Sequence, residues 1–429
     1  MWSEHMAASN PACSARWTAR SSAVGWTCSW EAWKPKIVTA SFLPRAVRRR
    51  LPGAGAADVV ARGAPHPGRL PDVETTPART SSRPHWAARA EDALHARLNA
   101  TLLARGWVPR VEPYTGYGAP GWVRVMARSV LAAPGTAASE AAERDTASAD
   151  RSVRGWRSFV TAQLPGAEVT VRVGDRVHVV EADRGGYVDA AVDADLEPGW
   201  HEITLELGGA SVAAPVLVVA PDAELGMVSD IDDTVMVTAL PRPLLAAWNA
   251  FVLHENARRV VPGMAGMYRR WTAAHPDAPT FYLSTGAWNA APALRRFLQR
   301  HGYPPGPLLL TDWGPTNTGW FRSGQAHKHA TLRRLLEEYP GMRWFLVGDD
   351  GQHDPEIYGE LAHDHGDRVH AVAIRQLSPT EQVLAHGTTE PLERVRRVAT
   401  ETTTVTGPDG NALALAMIDT GLLEVEPPR

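Results

Sequence analysis

From residue 225 onward the chain alternates short unbroken apolar runs with longer stretches in which apolar residues recur every three or four positions. The runs are LGMVS at 225, TFYLST at 280, PLLLT at 307, RWFLVG at 343 and RVHAVAI at 368. Between them, 263–274, 290–301, 325–339 and 354–365 carry the helical spacing. Strands buried on both faces read as continuous runs, and helices covering them show one apolar stripe. This half therefore predicts an α/β domain with a mostly parallel sheet covered by helices. Residues 167–219 have a period of two instead. AEVTVRV, RVHVVEA, GYVDAAV, WHEITLEL and SVAAPVLVV are separated by Gly174-Asp175, Gly185-Gly186, Pro198-Gly199 and Gly208-Gly209. Short alternating strands with such turns predict a small antiparallel β-sandwich. Ahead of it, Trp86, Ala90, Leu94, Leu98, Leu102 and Leu103 predict the apolar face of one helix, ended by Gly106. Residues 107–134 predict a strand or hairpin centred on WVRVMARSVL.

These patterns divide the chain into four parts. Residues 1–83 hold no sustained period and read as a disordered or spurious leader, although five of the sixteen tryptophans lie in the first 33 positions. Residues 84–222 are the helix, hairpin and β-sandwich, with an Ala/Glu/Thr-rich linker at about 135–150. Residues 223–378 are the α/β domain, and 379–429 a C-terminal extension. No apolar stretch reaches the length of a membrane helix, which excludes an integral membrane protein. Within the leader, 36–50 could form a weak basic amphipathic contact with a membrane. The two cysteines, Cys13 and Cys28, both fall in the leader, so the remainder has no disulfide framework and no thiol nucleophile. The net charge of −3 is unevenly placed, since the first eighty residues are basic and the rest acidic. An acidic body argues against nucleic acid as a partner.

Candidate chemistry collects at the expected strand ends, where parallel sheets bind ligands. Asp230-Ile231-Asp232-Asp233-Thr234 follows the first strand and Ser284-Thr285-Gly286 the second. Gly348-Asp349-Asp350 ends the fourth, with Asp354 just beyond. Lys328 precedes that strand, one of three lysines against 41 arginines. It falls in the first turns of the expected helix, where a cation opposes the helix dipole. Carboxylates this close raise one another's pKa and need a neutralising cation. Mg²⁺ is the cation expected, because it takes oxygen ligands and the chain offers no patterned Cys or His set. Each motif alone has a plainer reading. DxD can be a turn or the metal motif of a glycosyltransferase, Gly-Asp-Asp-Gly a turn, Ser284 a helix cap and Lys328 a solvated side chain. Their order on the right elements sets the combination apart.

DIDDT, YLSTGAWN, the lysine of HKHATLRRLLEEYP and FLVGDDGQHDPEIY resemble the four ordered motifs of the haloacid dehalogenase superfamily. More closely, 225–375 resembles the DxDxT-type phosphatidate phosphatase family and its bacterial branch, and YTGYG at 114–118 resembles the N-terminal part of those members more loosely. The resemblance implies a haloacid dehalogenase-like fold and a Mg²⁺-dependent phosphohydrolase working through an aspartyl-phosphate. Asp230 is implied as nucleophile, Asp232 as general acid–base, Thr234 as the residue orienting their loop, Ser284 as a phosphoryl ligand and Lys328 as the neutralising cation. Mg²⁺ would be held by Asp230, Asp349 and the Asp232 carbonyl, with Asp354 positioning Lys328 or a metal-bound water. Asp233 is common in that family, whereas Asp350 stands where serine is expected and is placed back from the metal. Trp288, Asn289, Trp320 and Arg322 are candidate substrate contacts, with Trp313 and Asn317 on the same loop as the last two. His327 and His329 flank Lys328 but point apart on a helix, and His353, His363 and His365 read as structural or solvated.

The implied substrate is a phosphomonoester, phosphatidate at a membrane surface, hydrolysed to diacylglycerol. The segment 235–262 is too short for a folded cap, so the site should be open to a large headgroup. A phosphoprotein or small phosphomonoester is the alternative within the same chemistry, and a silent adaptor whose sandwich binds an unknown partner is the alternative outside it. The expected location is the cytoplasm, peripheral to the membrane at most.

Overall fold

The structure, a computed structural model, describes residues 85–134, 162–237, 259–311, 320–386 and 402–424, with the side chains of 85–92, 320–323 and 384–386 outside the description. The expected leader, including 36–50, and the linker at 135–150 lie outside these residues.

Helix α1 (His85–Ala104) comes first and ends before Gly106, whose φ of 82° takes the left-handed conformation that glycine adopts without steric cost. The apolar stripe expected along it is corrected by one position. Leu94, Leu98 and Leu103 are exposed, and the face turned to the β domain carries His95, Asn99 and Leu102. The Asn99 amide donates to the Gln163 carbonyl at 3.0 Å, and the Gln163 amide lies 3.3 Å from His95 Nδ1. Stripes offset by one residue satisfy the same helical period, so periodicity could not choose between them.

The β domain follows: β1 (Val108–Pro113), β2 (Gly116–Ala119), β3 (Gly121–Ala132), β4 (Ala162–Gln163), β5 (Glu168–Val173), β6 (Arg176–Glu181), β7 (Tyr187–Ala194), β8 (Gly199–Leu207) and β9 (Ala210–Val218). They form one path, β1-β3-β2-β9-β8-β5-β6, with β4 and β7 also on β3. Every pair is antiparallel except β2 with β9. Inward residues from both ends of the path, among them Val123, Val171, Val188, Leu205 and Val216, share one buried cluster. The sheet thus folds over itself as a sandwich.

In the second domain β10 (Leu225–Asp230) is followed by the small antiparallel pair β11 (Met236–Val237) and β12 (Arg259–Val260). Then come α2 (Met264–Ala274), β13 (Thr280–Ala287), α3 (Ala291–Arg300), β14 (Leu308–Thr311), α4 (Trp320–Glu338), β15 (Arg343–Asp349), α5 (Asp354–Asp364) and β16 (Val369–Arg375). The chain continues through α6 (Pro379–His386), β17 (Thr403–Gly407) and α7 (Gly410–Asp419). The sheet order is β14-β13-β10-β15-β16-β17, parallel throughout. This is the helix-covered parallel sheet expected. It is one strand wider, because β17 and α7 come from the stretch read as an extension. From β10 the chain builds outward to β14, and α4 then carries it back to β15 on the other flank. The crevice between β10 and β15 is therefore the topological switch point, where open parallel sheets bind ligands.

The two domains share a core. Tyr114, Tyr117, Met126 and Tyr187 of the β domain belong to the same buried cluster as the α/β sheet. Tyr117 is fully buried, edge-on to Phe281, and its hydroxyl donates to Glu338 Oε2 at 2.8 Å. Glu338 also receives Arg124, which bonds Asp189 at 2.7 Å, and Arg334 of α4 meets the same Asp189 at 2.7 Å. Gly116 and Gly118 of YTGYG allow this strand to lie close, since a Cβ would fall 2.5 Å from the Arg124 carbonyl at the first and 2.3 Å from the Trp122 carbonyl at the second.

Asp189 generates a pH prediction. Partial burial raises its carboxyl, but the Arg334 and Arg124 guanidiniums outweigh that and hold it below the ordinary range. A lowered folded pKa stabilises above the unfolded value of about 3.9 and loses that contribution as pH falls through the folded one. Asp189→Asn should unfold at lower urea than wild type at pH 7, with the gap closing from about pH 4 downward; urea midpoints between pH 3 and 7 measure it.

Candidate active site

Asp230 ends β10 at the centre of the sheet, flanked by Ser284 from β13 and Asp349 from β15. All three are buried, as are Asp232, Thr234, Lys328 and Asp354. Adjacent parallel strands bring these ends together although the residues lie far apart in sequence. Beyond Asp230 the chain turns tightly, with the amides of Val235 and Met236 both donating to the Ile231 carbonyl. The turn carries Thr234 to Asp349, where its hydroxyl donates to Oδ2 at 3.3 Å. The Gly351 amide donates to the other Asp349 oxygen at 2.7 Å. Asp232 leaves the carboxylate cluster and accepts the Ser284 hydroxyl at 3.0 Å on Oδ2, while Ser284 Oγ accepts the Gly286 amide at 2.9 Å.

Lys328 lies 2.6 Å from Asp230 Oδ1 and 2.5 Å from Asp354 Oδ1. Helix α4 starts earlier than the spacing predicts, at Trp320, so Lys328 stands mid-helix and the opposition to the dipole expected of it is absent. Gly324 lies within this helix. It is accommodated against Thr285, whose Cγ2 would lie 3.1 Å from an added Cβ. Among the described residues the ammonium is held by the carboxylates of Asp230 and Asp354. Asp354 opens α5, where the helix N-terminus favours its negative charge.

Burial pushes the Asp230 carboxyl well above its usual range; Lys328 opposes the rise, while Asp354 and Asp232 add to it. Asp349 is raised by burial and then by Asp354 and Asp230. For Lys328 burial works against the charge, but Asp230 and Asp354 prevail and hold it above the ordinary lysine range. One ammonium thus faces three buried carboxylates, a set short of positive charge. Oxygens of Asp230, Asp349 and Asp354 lie within 4.8 Å of one another. The Lys328 ammonium pairs with Asp230 Oδ1 at 2.6 Å, and among the described residues no other donor reaches either Asp230 oxygen. Hard oxygen donors with unsatisfied lone pairs fit a divalent cation such as Mg²⁺.

The remaining candidates separate from this cluster. Trp288 is not a pocket wall as expected. It is buried and stacked on Tyr114, with ring centroids 4.4 Å apart and planes at 19°. Asn289, half-buried, belongs to the short 3-10 turn beside it. Trp320 and Arg322 lie in the first turn of α4 with their side chains outside the description, as Trp313 and Asn317 are altogether. His327 turns toward the Leu309 carbonyl and His329 toward Glu360, so they diverge. Asp350 accepts the Leu377 amide at 2.7 Å and faces away from the cluster. Arg375 and Glu381, which sequence reading passed over, lie behind the first loop. Nothing marks Arg375 among 41 arginines, but Ser378-Pro379-Thr380-Glu381 was a legible helix-start signature.

Residues 225–376 match the family model described as phosphatidate phosphatase APP1, catalytic domain. That segment of the chain is similar to the catalytic domain of that family. It is 24% identical over 233 residues to phosphatidate phosphatase APP1 of Saccharomyces cerevisiae, an alignment spanning 51% of this chain and 39% of the yeast protein. An uncharacterized protein of Schizosaccharomyces pombe is 24% identical over 154 residues, 36% of this chain and 25% of that one. The chain thus spans less than half the length of these curated relatives. Among solved structures, the HAD domain of the Legionella pneumophila effector Lem4 is 16% identical, covering 36% of this chain and 88% of its own, with a TM-score of 0.24. A likeness of that degree carries no argument. The APP1-type match begins at the first residue of β10 and ends one residue past β16, and so includes every residue of the cluster.

Two substitutions test how closely the cluster is built. Lys328→Met leaves buried carboxylates without their counter-ion and should cost about 3–5 kcal/mol. Gly348→Ala places a Cβ 2.6 Å from Asp354 Oδ2 and 2.8 Å from Tyr358 Cε2, an overpacking worth about 1–3 kcal/mol. Urea unfolding at pH 7 measures both.

Proposed function

We propose that the protein is a Mg²⁺-dependent phosphohydrolase that cleaves phosphomonoesters through an aspartyl-phosphate on Asp230. The observation that carries this reading is the convergence of Asp230, Asp232, Ser284, Lys328 and Asp349 at the switch point of one parallel sheet. Asp230, Asp349 and Asp354 would hold the cation, which supplies charge neutralisation for the phosphoryl group. An Asp230 carboxylate oxygen attacks phosphorus while the bond to the leaving oxygen breaks. Protonated Asp232 gives its proton to that oxygen and releases the alcohol. The same carboxylate then takes a proton from water, whose oxygen attacks the aspartyl-phosphate, returning Asp230 and releasing inorganic phosphate. Ser284 stands beside Asp232, where turning its hydroxyl would present it to a phosphoryl oxygen. Lys328 offsets charge on Asp230 and the phosphate throughout, and in phosphoryl transfer such positioning and neutralisation are most of the catalysis.

Phosphatidate is the substrate we favour, because the catalytic-domain match is to phosphatidate phosphatases. Among the described residues no helix is long and apolar enough to cross a membrane, so the lipid would be met at a surface. The test is phosphate release from phosphatidate in mixed micelles, set against soluble phosphomonoesters and phosphopeptides. Asp230→Asn should lose about 10⁶-fold in kcat, the scale seen when a nucleophile is removed. EDTA should abolish activity and Mg²⁺ restore it. Preference for a soluble ester would keep the mechanism and discard the lipid. Wild-type turnover in Asp230→Asn would overturn the mechanism.

A further inference from the structure

Asp233 and Asp350 adjoin the reacting residues, yet the chemistry above uses neither. One segment, Arg375–Gln382, holds both. Asp233 has a φ of 56°, the only positive value at a non-glycine position among the described residues. It is the link between Asp232, which bonds Ser284, and Thr234, which bonds Asp349. Its carbonyl accepts Arg375 Nη1 at 2.6 Å. Arg375 is buried and fully engaged, with Nε on the Pro408 carbonyl at 3.1 Å and Nη2 on Glu381 Oε1 at 2.7 Å. Glu381 is itself fixed at the start of α6. Its Oε2 accepts the amide and the hydroxyl of Ser378, each at 2.9 Å, and its own amide donates back to Ser378 Oγ at 3.4 Å. This is a capping box. The other acidic loop is tied to the same segment. The Asp350 amide donates to the Arg375 carbonyl at 2.9 Å, its carboxylate accepts the Leu377 amide, and Gly351 is so close to Leu377 that a Cβ would lie 2.6 Å from Cδ2.

We propose that Arg375 is a positioning residue of this site. Anchored by the Glu381 capping box and the Pro408 carbonyl, its guanidinium keeps the Asp233 peptide in the left-handed turn that aims Asp232 at Ser284 and Thr234 at Asp349. Asparagine and aspartate enter this conformation more readily than most residues, but it remains sparsely populated and persists when its surroundings impose it. Three acceptors in different directions require a planar fork with several donors, which lysine lacks. Asp350 serves as the matching brace, holding the Arg375–Leu377 backbone against the loop of Asp349. The assignment of a catalytic effect rests on Asp232 being the acid–base of the proposed reaction.

The experiment compares wild type, Arg375→Met, Arg375→Lys and, as a control destabilised in the β domain, Leu205→Ala. Two quantities are read: kcat and KM with whichever phosphomonoester the wild type hydrolyses, and amide hydrogen exchange across 231–237. Arg375→Met should lose about 10²-fold in kcat, as displaced catalytic groups do, with KM within about threefold. Exchange at Val235 and Met236 should quicken. Arg375→Lys, whose ammonium still reaches the Asp233 carbonyl, should recover part of the loss, and Leu205→Ala should change neither quantity in its folded fraction. A kcat within threefold of wild type together with unchanged exchange overturns the proposal. Equal effects in Leu205→Ala also overturn it, since they would mark general destabilisation. If the wild type hydrolyses none of the substrates, the reaction reading fails and exchange alone decides. Faster exchange in Arg375→Met then supports the positioning role, and unchanged exchange ends it.

Discussion

The contact on which the site depends is the buried ammonium of Lys328 between Asp230 and Asp354. Three carboxylates withdrawn from water at the carboxyl ends of the central strands repel one another, and a single cation offsets only part of that repulsion. The sheet nevertheless brings them together, because each follows a strand or opens a helix whose apolar residues pack into one core. Hydrophobic burial along β10, β13 and β15 thus opposes the electrostatic strain at their ends. A compact, rotatable ammonium suits the position better than a guanidinium would, since it presents one point charge to two carboxylates at about the same distance. That answers why a chain so rich in arginine has a lysine here.

The rest of the molecule restrains the loops that carry this charge. On one side the β domain enters the α/β core through Tyr117 and stacks Tyr114 on Trp288, four residues beyond Ser284. The sandwich is therefore continuous with the α/β domain. On the other side Arg375 and the start of α6 brace the turns after β10 and β15. Both supports act on backbone and packing and not on the Asp230 carboxylate. This division is common where a polar constellation must be held still without its own groups being used up in structural bonds.

Much of this was legible in the sequence. Apart from the earlier start of α4, the strands from LGMVS to RVHAVAI, the helices between them and the five alternating segments of the sandwich lie where the period places them. The residues at the ends of the apolar runs also meet as the alternation implies. Other features escaped for identifiable reasons. β17 is a short run of threonines and one valine, too brief to stand out from a polar extension. The stripe on α1 was misplaced by one residue, and Trp288 was read as a pocket residue when its partner, Tyr114, lies in another domain. Arg375 had no local signature because its meaning depends on the carbonyl it meets.

By itself, then, the sequence determined what short-range patterns encode: strand and helix identity, the order of the motifs, and the acids, serine and lysine placed at the strand ends. Hydrophobic periodicity and covalent order do this without reference to distant contacts. Tertiary structure alone decided which acids cluster and which do not. Asp232 turns to Ser284 and Asp350 to Leu377, while Asp354 joins Asp230 and Asp349. Those directions follow from side-chain geometry and the left-handed turn at Asp233, which arise only when neighbouring strands pair and Arg375 reaches across from the next β-strand but one.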